Sequence, residues 1–202
     1  MKVLITGFDP FRDEPVNPSW EVCKLLKEES IEGIDIVVRK LPVVFNAAKE
    51  EAIHHFEELT PDLVLHLGEA GGRTHVSVER IAINCDDAGT PDNDGQTKDA
   101  EPIQKNGEDG LFATVPVKKI VDAIKKAGIP AVVSNSAGTY VCNHVFYGML
   151  HHIKKKQVKT RVGFIHLPYV PEQTINKPQK ASMDITLMVK AVKIAILTCL
   201  DG

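Results

Sequence analysis

Ala131-Val132-Val133-Ser134-Asn135-Ser136-Ala137-Gly138-Thr139-Tyr140-Val141-Cys142 runs from a short apolar strand, through small and polar residues, into a segment with helical apolar spacing. Such a junction sets the first turn of a helix beside a strand end, where unpaired backbone N–H groups and the positive end of the macrodipole gather. Cys142 falls in that turn. The same groups favour thiolate over thiol, which predicts a lowered pKa for Cys142, and they can receive an oxyanion.

Outward from this junction the chain keeps alternating. Val3 to Thr6 reads as the first strand, and Asn17-Pro18-Ser19-Trp20 opens a helix to about Glu29, with Asn17 or Ser19 as cap and Pro18 tolerated in the first turn. A strand over 34–41 follows, then a helix over 45–59 with Ala47, Ala48, Ala52, Ile53 and Phe56 on one face, stopped by Pro61. Leu63 to Leu67 reads as a buried strand. A helix over 116–127 ends at Gly128, and beyond the junction come a helix over 141–153, a strand over 161–166, a loop over 168–180 and a last helix over about 183–199. This alternation predicts an α/β sandwich. Val76 to Ile83 is strand-like, although the pair Glu79-Arg80 breaks its alternation. Residues 85–112, rich in Asp, Gly, Pro and Asn, have no sustained period and read as a long loop or small excursion, a kind of segment that commonly carries function.

The chain has 202 residues, 43% of them hydrophobic, enough for one well-buried core and few for two, so a single domain over 1–202 is expected. A net charge of -3 with scattered Lys and Arg gives no footprint for nucleic acid or an anionic membrane, and Lys154-Lys155-Lys156 reads as a solvated loop. The four cysteines, at 23, 85, 142 and 199, lack C-x-x-C spacing and suit a reducing, cytoplasmic compartment. The N-terminus enters a strand directly, without a signal-peptide pattern, and no apolar run approaches membrane-spanning length.

A cysteine nucleophile needs a base within hydrogen-bond reach and a third group to fix the imidazole. His54, His55, His151 and His152 lie among polar neighbours in helical stretches, His144 points around the helix away from Cys142, and His75 sits in a Gly-rich loop. His166 differs because it ends the apolar run Val162-Gly163-Phe164-Ile165, and α/β sheets gather their sites at the carboxyl ends of strands. Its alternative is a satisfied structural histidine. Glu79 is the third candidate, because a carboxylate in an apolar strand is costly unless paired; the alternative is an outward, half-exposed position. A Cys, His, Glu set supports acyl transfer to water. The His doublets lack the i, i+4 geometry of a helical zinc site, so no metal site is expected, and Gly68, Gly71 and Gly72 fit neither phosphate-binding spacing. Cys23 and Cys85 read as core, and Cys199 as core or interface.

These pieces resemble a family. Ser134-x-Ser136-Ala137-Gly138-x-Tyr140-Val141-Cys142-Asn143 is similar to the cysteine signature of pyroglutamyl peptidase type I, and Gly68-x-x-Gly71 with Val76-Ser77-Val78-Glu79-Arg80-Ile81-Ala82-x-Asn84 to its glutamate signature. Gly163-Phe164-Ile165-His166-Leu167-Pro168-Tyr169-x-Pro171-Glu172-Gln173 resembles its histidine block, and Gly7-Phe8-Asp9-Pro10-Phe11 with Asn17-Pro18-Ser19-Trp20-Glu21 its N-terminal segment. The resemblance implies a three-layer α/β/α sandwich around an open, mostly parallel twisted sheet, commonly assembled as a homotetramer without a cofactor. It implies a cysteine exopeptidase that removes N-terminal pyroglutamate from peptides through a thioester, with Cys142 as nucleophile, His166 as base and acid, and Glu79 orienting His166. Phe8 and Phe11 take the family's wall positions, Tyr140 and Val141 precede the nucleophile, Asn17 falls where relatives contact the lactam, and Glu69 lies beside it.

The chain departs from the family's pattern at three places. Position 69 is Glu where many relatives carry Gln or an apolar residue, and an ionised carboxylate can only accept hydrogen bonds. Asp87-Ala88-Gly89-Thr90-Pro91-Asp92-Asn93 lacks the arginine usual at position 89, and Phe11-Arg12-Asp13 replaces Phe-Gly-Gly. These departures motivate two alternatives, a related cysteine amidase with shifted acyl specificity and a non-catalytic binder of pyroglutamyl peptides.

Overall fold

Strands covered by helices on both faces must be apolar on both faces, and β1 (Lys2–Phe8), β3 (Leu63–Glu69) and β10 (Arg161–Leu167) are buried at nearly every residue. A computed structural model describes residues 1–200 of the protein. Between β1 and β3 come α1 (Pro18–Lys27), β2 (Asp35–Leu41) and α2 (Ala47–Leu59). Between β3 and β10 come β4 (Val76–Glu79), β5 (Ile81–Ile83), β6 (Asp86–Ala88), β7 (Lys98–Glu101), β8 (Gly110–Phe112), α3 (Val117–Lys126), β9 (Ala131–Ser134) and α4 (Val141–Lys156). The chain closes with α5 (Pro171–Thr174) and α6 (Ile185–Leu200).

Six strands form the central sheet in the order β2-β1-β3-β10-β4-β9, parallel throughout except where β10 meets β4. Side chains alternate between its faces with period two. Val3, Ile5, Leu65, Leu67, Val76, Val78 and Ile165 pack with the apolar residues of α1, α3 and α6. Leu4, Phe8, Val64, Val162 and Phe164 face those of α2 and α4. The result is the expected three-layer α/β/α sandwich. Parity then fixes the polar residues: Glu79 and Ser77 are out of phase with Val76 and Val78, and His166 is in phase with Phe164, so all three belong to the α4 face.

Three expectations change. The strand read over 76–83 breaks at Arg80, whose N–H donates to Ser134 O at 2.8 Å while its carbonyl accepts from Ala113 N at 2.9 Å. The chain thereby leaves the main sheet after Glu79, and β5 pairs with β8 in a separate two-stranded sheet. The excursion over 85–112 is partly ordered, since β6 and β7 form a second small sheet. Lys154, Lys155 and Lys156 are the last turn of α4 and not a loop; cations there suit the negative end of the helix. Asn17 is the cap of α1, with its Oδ1 accepting from Ser19 N. No helix among the described residues is long and apolar enough to cross a membrane.

Candidate active site

β9 runs parallel to β4 and therefore against β10, so the chain leaving Ser134 heads away from the carboxyl end of β10. The turn over 135–140 carries it back. Gly138 holds φ 80, a left-handed conformation that glycine adopts without steric cost. Thr139 then anchors the turn on Asp87: Asp87 N donates to Thr139 O at 3.0 Å and Thr139 Oγ1 donates to Asp87 O at 2.6 Å. Tyr140 OH donates to Pro91 O at 2.9 Å. Cys142 follows in the first turn of α4. No side chain caps this helix, so its first N–H groups are not claimed by a capping residue.

Gly68 lets the thiol approach the sheet. A Cβ on Gly68 would lie 3.0 Å from Cys142 Sγ and 2.8 Å from the Phe164 ring, tighter than side chains allow. Gly68 pairs with His166 across β3 and β10. Cys142 and His166 line one cavity of about 460 Å³. His166 Nδ1 donates to Glu79 Oε1 at 2.8 Å, leaving Nε2 as its free ring nitrogen, and the Phe164 ring packs on the imidazole with centroids 4.7 Å apart. Glu79 is fully buried, not half-exposed. Its Oε1 also accepts from Arg73 Nη1 at 3.2 Å.

The cavity walls include Phe8, Phe11, Asn17, Glu69, Tyr140 and Val141, so eight of the nine predicted site residues line it and Glu79 stands behind His166. Phe11 and Tyr140 pack with ring centroids 6.2 Å apart, and Val43 and Ala88 complete an apolar side. Asn17 is largely committed to the fold. Its Oδ1 accepts from Ser19 N at 3.1 Å and Ser19 Oγ at 2.8 Å, and its Nδ2 donates to Asp9 O at 2.9 Å, which leaves one amide hydrogen for anything else. Glu69 Oε2 accepts from Gln173 Nε2 at 2.8 Å. Burial pushes the Glu69 carboxyl up to about 7 despite that bond.

The thiol departs from expectation. Cys142 is pushed up to about 12, first by burial and then by the carboxylates of Glu79 and Glu69, which outweigh Arg73 and its own backbone N–H. Helix position alone does not set a thiol's acidity in a buried, carboxylate-rich site. Cys85 is half-buried and not core, because its strand-end position lies beside the polar excursion. Cys23 and Cys199 are buried. Among the described residues no cluster of three His, Cys, Asp or Glu side chains is gathered to hold a metal ion.

Arg73 and Gln173 reach the site without having been singled out in the sequence. Arg73 follows the turn at Gly72, φ 85, and its N–H donates to Ala70 O at 3.2 Å. The Gly-rich run thus serves to turn β3 back toward β4, a role its spacing alone did not reveal. His144 was set aside in the sequence, and it is buried with Nδ1 2.6 Å from Asp86 Oδ2 while Nε2 accepts from Asn46 N at 3.3 Å.

Comparison with known proteins extends these matches over the whole chain. The sequence matches the family model described as pyroglutamyl peptidase over residues 1–201. It is 53% identical over 196 residues to pyrrolidone-carboxylate peptidase 1 of Caldanaerobacter subterraneus subsp. tengcongensis, covering 97% of this chain and 96% of that one. It is 48% identical over 202 residues to the pyrrolidone-carboxylate peptidase of Thermococcus onnurineus, covering all of both. The crystal structure of pyroglutamyl peptidase I from Bacillus amyloliquefaciens superposes with a TM-score of 0.96 at 43% identity, covering all of this chain and 95% of that one. A mutant pyrrolidone carboxyl peptidase of Pyrococcus furiosus gives 0.96 at 44%, covering all of this chain and 99% of that one. With sequence signatures, layer order and cavity all in agreement along its length, the chain belongs to the pyroglutamyl peptidase family.

Proposed function

We propose that the protein hydrolyses the amide bond after an N-terminal pyroglutamyl residue, with residues 1–202 acting as one catalytic domain, Cys142 as nucleophile, His166 as base and acid, and Glu79 orienting His166. The observation that carries this reading is the buried bond from His166 Nδ1 to Glu79 Oε1 at 2.8 Å, behind an imidazole that shares its cavity with Cys142. The bond fixes the tautomer, so Nε2 is free to take a proton. Because Cys142 rests as a thiol, its proton passes to His166 Nε2 as Sγ attacks the carbonyl carbon. The first-turn N–H groups of α4 receive the oxyanion. The C–N bond then breaks while His166 returns the proton to the leaving amine. Water, deprotonated by His166, cleaves the thioester to release pyroglutamate, and Sγ recovers its proton.

The lactam fits the cavity's character. Phe8, Phe11, Tyr140 and Val141 offer apolar walls to the ring, while Asn17 and Glu69 offer a few polar contacts. Protonated Glu69 both donates and accepts, as an amide would, which supports pyroglutamyl recognition at and below neutral pH. The same reading includes homotetrameric assembly in the cytoplasm. Exposed Leu25 and Leu197 on a groove between α1 and α6 support self-association, and four free cysteines suit a reducing compartment.

The test is chromophore release from a pyroglutamyl amide by the purified protein, with C142A and a proline amide as controls. Hydrolysis by the parent, confined to the pyroglutamyl substrate and lost in a folded C142A, is expected. Retained hydrolysis in that variant would remove Cys142 from the mechanism, and preference for another acyl amide would favour the amidase alternative that Glu69 motivates.

A further inference from the structure

Among the described residues, Arg73 is the one Lys or Arg that touches the buried acid of the site. Its Nη1 lies 3.2 Å from Glu79 Oε1, the same oxygen that accepts from His166 Nδ1 at 2.8 Å, and its side chain lines the cavity at 34% exposure. Glu79 Oε2 has no partner among the described residues, so His166 and Arg73 are the whole of that carboxylate's hydrogen bonding. A fully buried carboxylate requires a compensating charge. An imidazole that is to act as a base must be neutral, so it cannot be that charge.

The neighbouring groups narrow the choice. Glu69, Glu79 and Arg73 face Cys142, and Tyr140 lies beside it. Arg12, Glu14, Asp87 and Tyr169 line the same cavity, but Glu14 is engaged by Lys177 and Arg12 donates to Thr90 Oγ1 at 3.2 Å. Arg80, next to Glu79 in sequence, is exposed and has turned away with the chain. No other cation among the described residues reaches Glu79.

We propose that Arg73 is a positioning residue for Cys142, His166 and Glu79: its guanidinium supplies the fixed positive charge that keeps the buried acid matched while the imidazole is neutral, and it holds Oε1 where His166 Nδ1 needs it. The inference rests on the hydrolytic reading above. Its electrostatic consequence has one sign. A fixed cation disfavours every protonated, more positive state around it, so its removal favours protonation of both the imidazole and the thiol.

The experiment compares the parent with R73Q, R73M and R73K by the pH dependence of kcat/KM on a pyroglutamyl amide. In parallel, Cys142 alkylation by iodoacetamide is followed by mass spectrometry. For R73Q and R73M the acid limb of kcat/KM is expected to move to higher pH by about one unit and the Cys142 alkylation rate at a fixed pH to fall about tenfold, with R73K close to the parent. The alkylation arm needs no substrate, so a parent that fails to turn over the amide strikes the hydrolytic reading while leaving this one measurable. An unmoved acid limb and an unchanged alkylation rate in both neutral variants would overturn the proposal, as would equal losses in R73K and R73Q without any shift. A neutral variant that does not fold while R73K folds with parent-like profiles supports the requirement for charge, whereas R73K folding with a profile shifted to lower pH contradicts it.

Discussion

Glu69, whose carboxyl burial pushes up to about 7, changes across the neutral range from an acid that both donates and accepts to an ion that only accepts. On the proposed reading, the ion present above pH 7 would repel a lactam carbonyl. KM for a pyroglutamyl amide should therefore rise between pH 6 and pH 8, by about three- to tenfold if one hydrogen bond to a charged group is at stake. In E69Q the rise should disappear, and matching KM profiles for the two proteins would place Glu69 outside the contact with substrate. Arg12 offers a separate test at this scale. It holds φ 54, the left-handed region, where its family counterpart is Gly, and its guanidinium lies 5.4 Å from the Phe11 ring centroid. R12A and R12G both lose the guanidinium, but only Ala keeps the strained backbone. R12G should be the more stable of the two by about 1 kcal/mol in urea unfolding, and equality would show that the segment relaxes freely.

Elements position these residues, and α4 is tied to the excursion over 85–112 by a buried pair. His144 Nδ1 and Asp86 Oδ2 are 2.6 Å apart, both nearly inaccessible, and the Asn143 amide donates to Ile83 O and Cys85 O at 2.9 and 3.1 Å. Removing one member of a buried pair leaves the other uncompensated, so D86A should cost about 3–5 kcal/mol by urea titration. A loss below 1 kcal/mol would mean that the site repacks. The strands and helices themselves were legible because apolar spacing at periods of two and 3.6 reports burial directly, and the site residues were legible where a signature surrounds them. Arg73, His66 and the split at Arg80 were not. Each depends on a partner that no local period reveals: Arg80 meets Ser134 and His66 meets Thr6 across long stretches of chain, and Arg73 meets Glu79 across a turn. The pKa of Cys142 was misjudged for the same reason, since helix position is local while burial and carboxylate proximity are not.

The whole molecule carries a buried histidine through its centre. His66 Nδ1 lies 2.7 Å from Thr6 Oγ1 between β1 and β3, and burial pushes its pKa down to about 3 from an ordinary 6.5. The unfolded chain binds the extra proton throughout that interval. Stability from this group is thus complete above pH 6.5 and is lost as pH falls toward 3, at up to about 1.4 kcal/mol per unit. H66Q should flatten the acid side of the stability curve between pH 6 and pH 4, and an unchanged slope would assign acid sensitivity to other groups. The order of strands has a temporal consequence. Before β10 is made, β2-β1-β3 and β4-β9 share no edge, because β10 alone lies between β3 and β4. The strand that carries His166 is the keystone of the sheet: without it no strand hydrogen-bonds the β2-β1-β3 half to the β4-β9 half. On the proposed reading the base arrives with β10, after the nucleophile on α4 and the orienting acid on β4 have been made. A chain that ends short of β10 would thus lack both the strand that closes the sheet and the proposed base, so completing the sheet and gaining hydrolytic competence are one requirement.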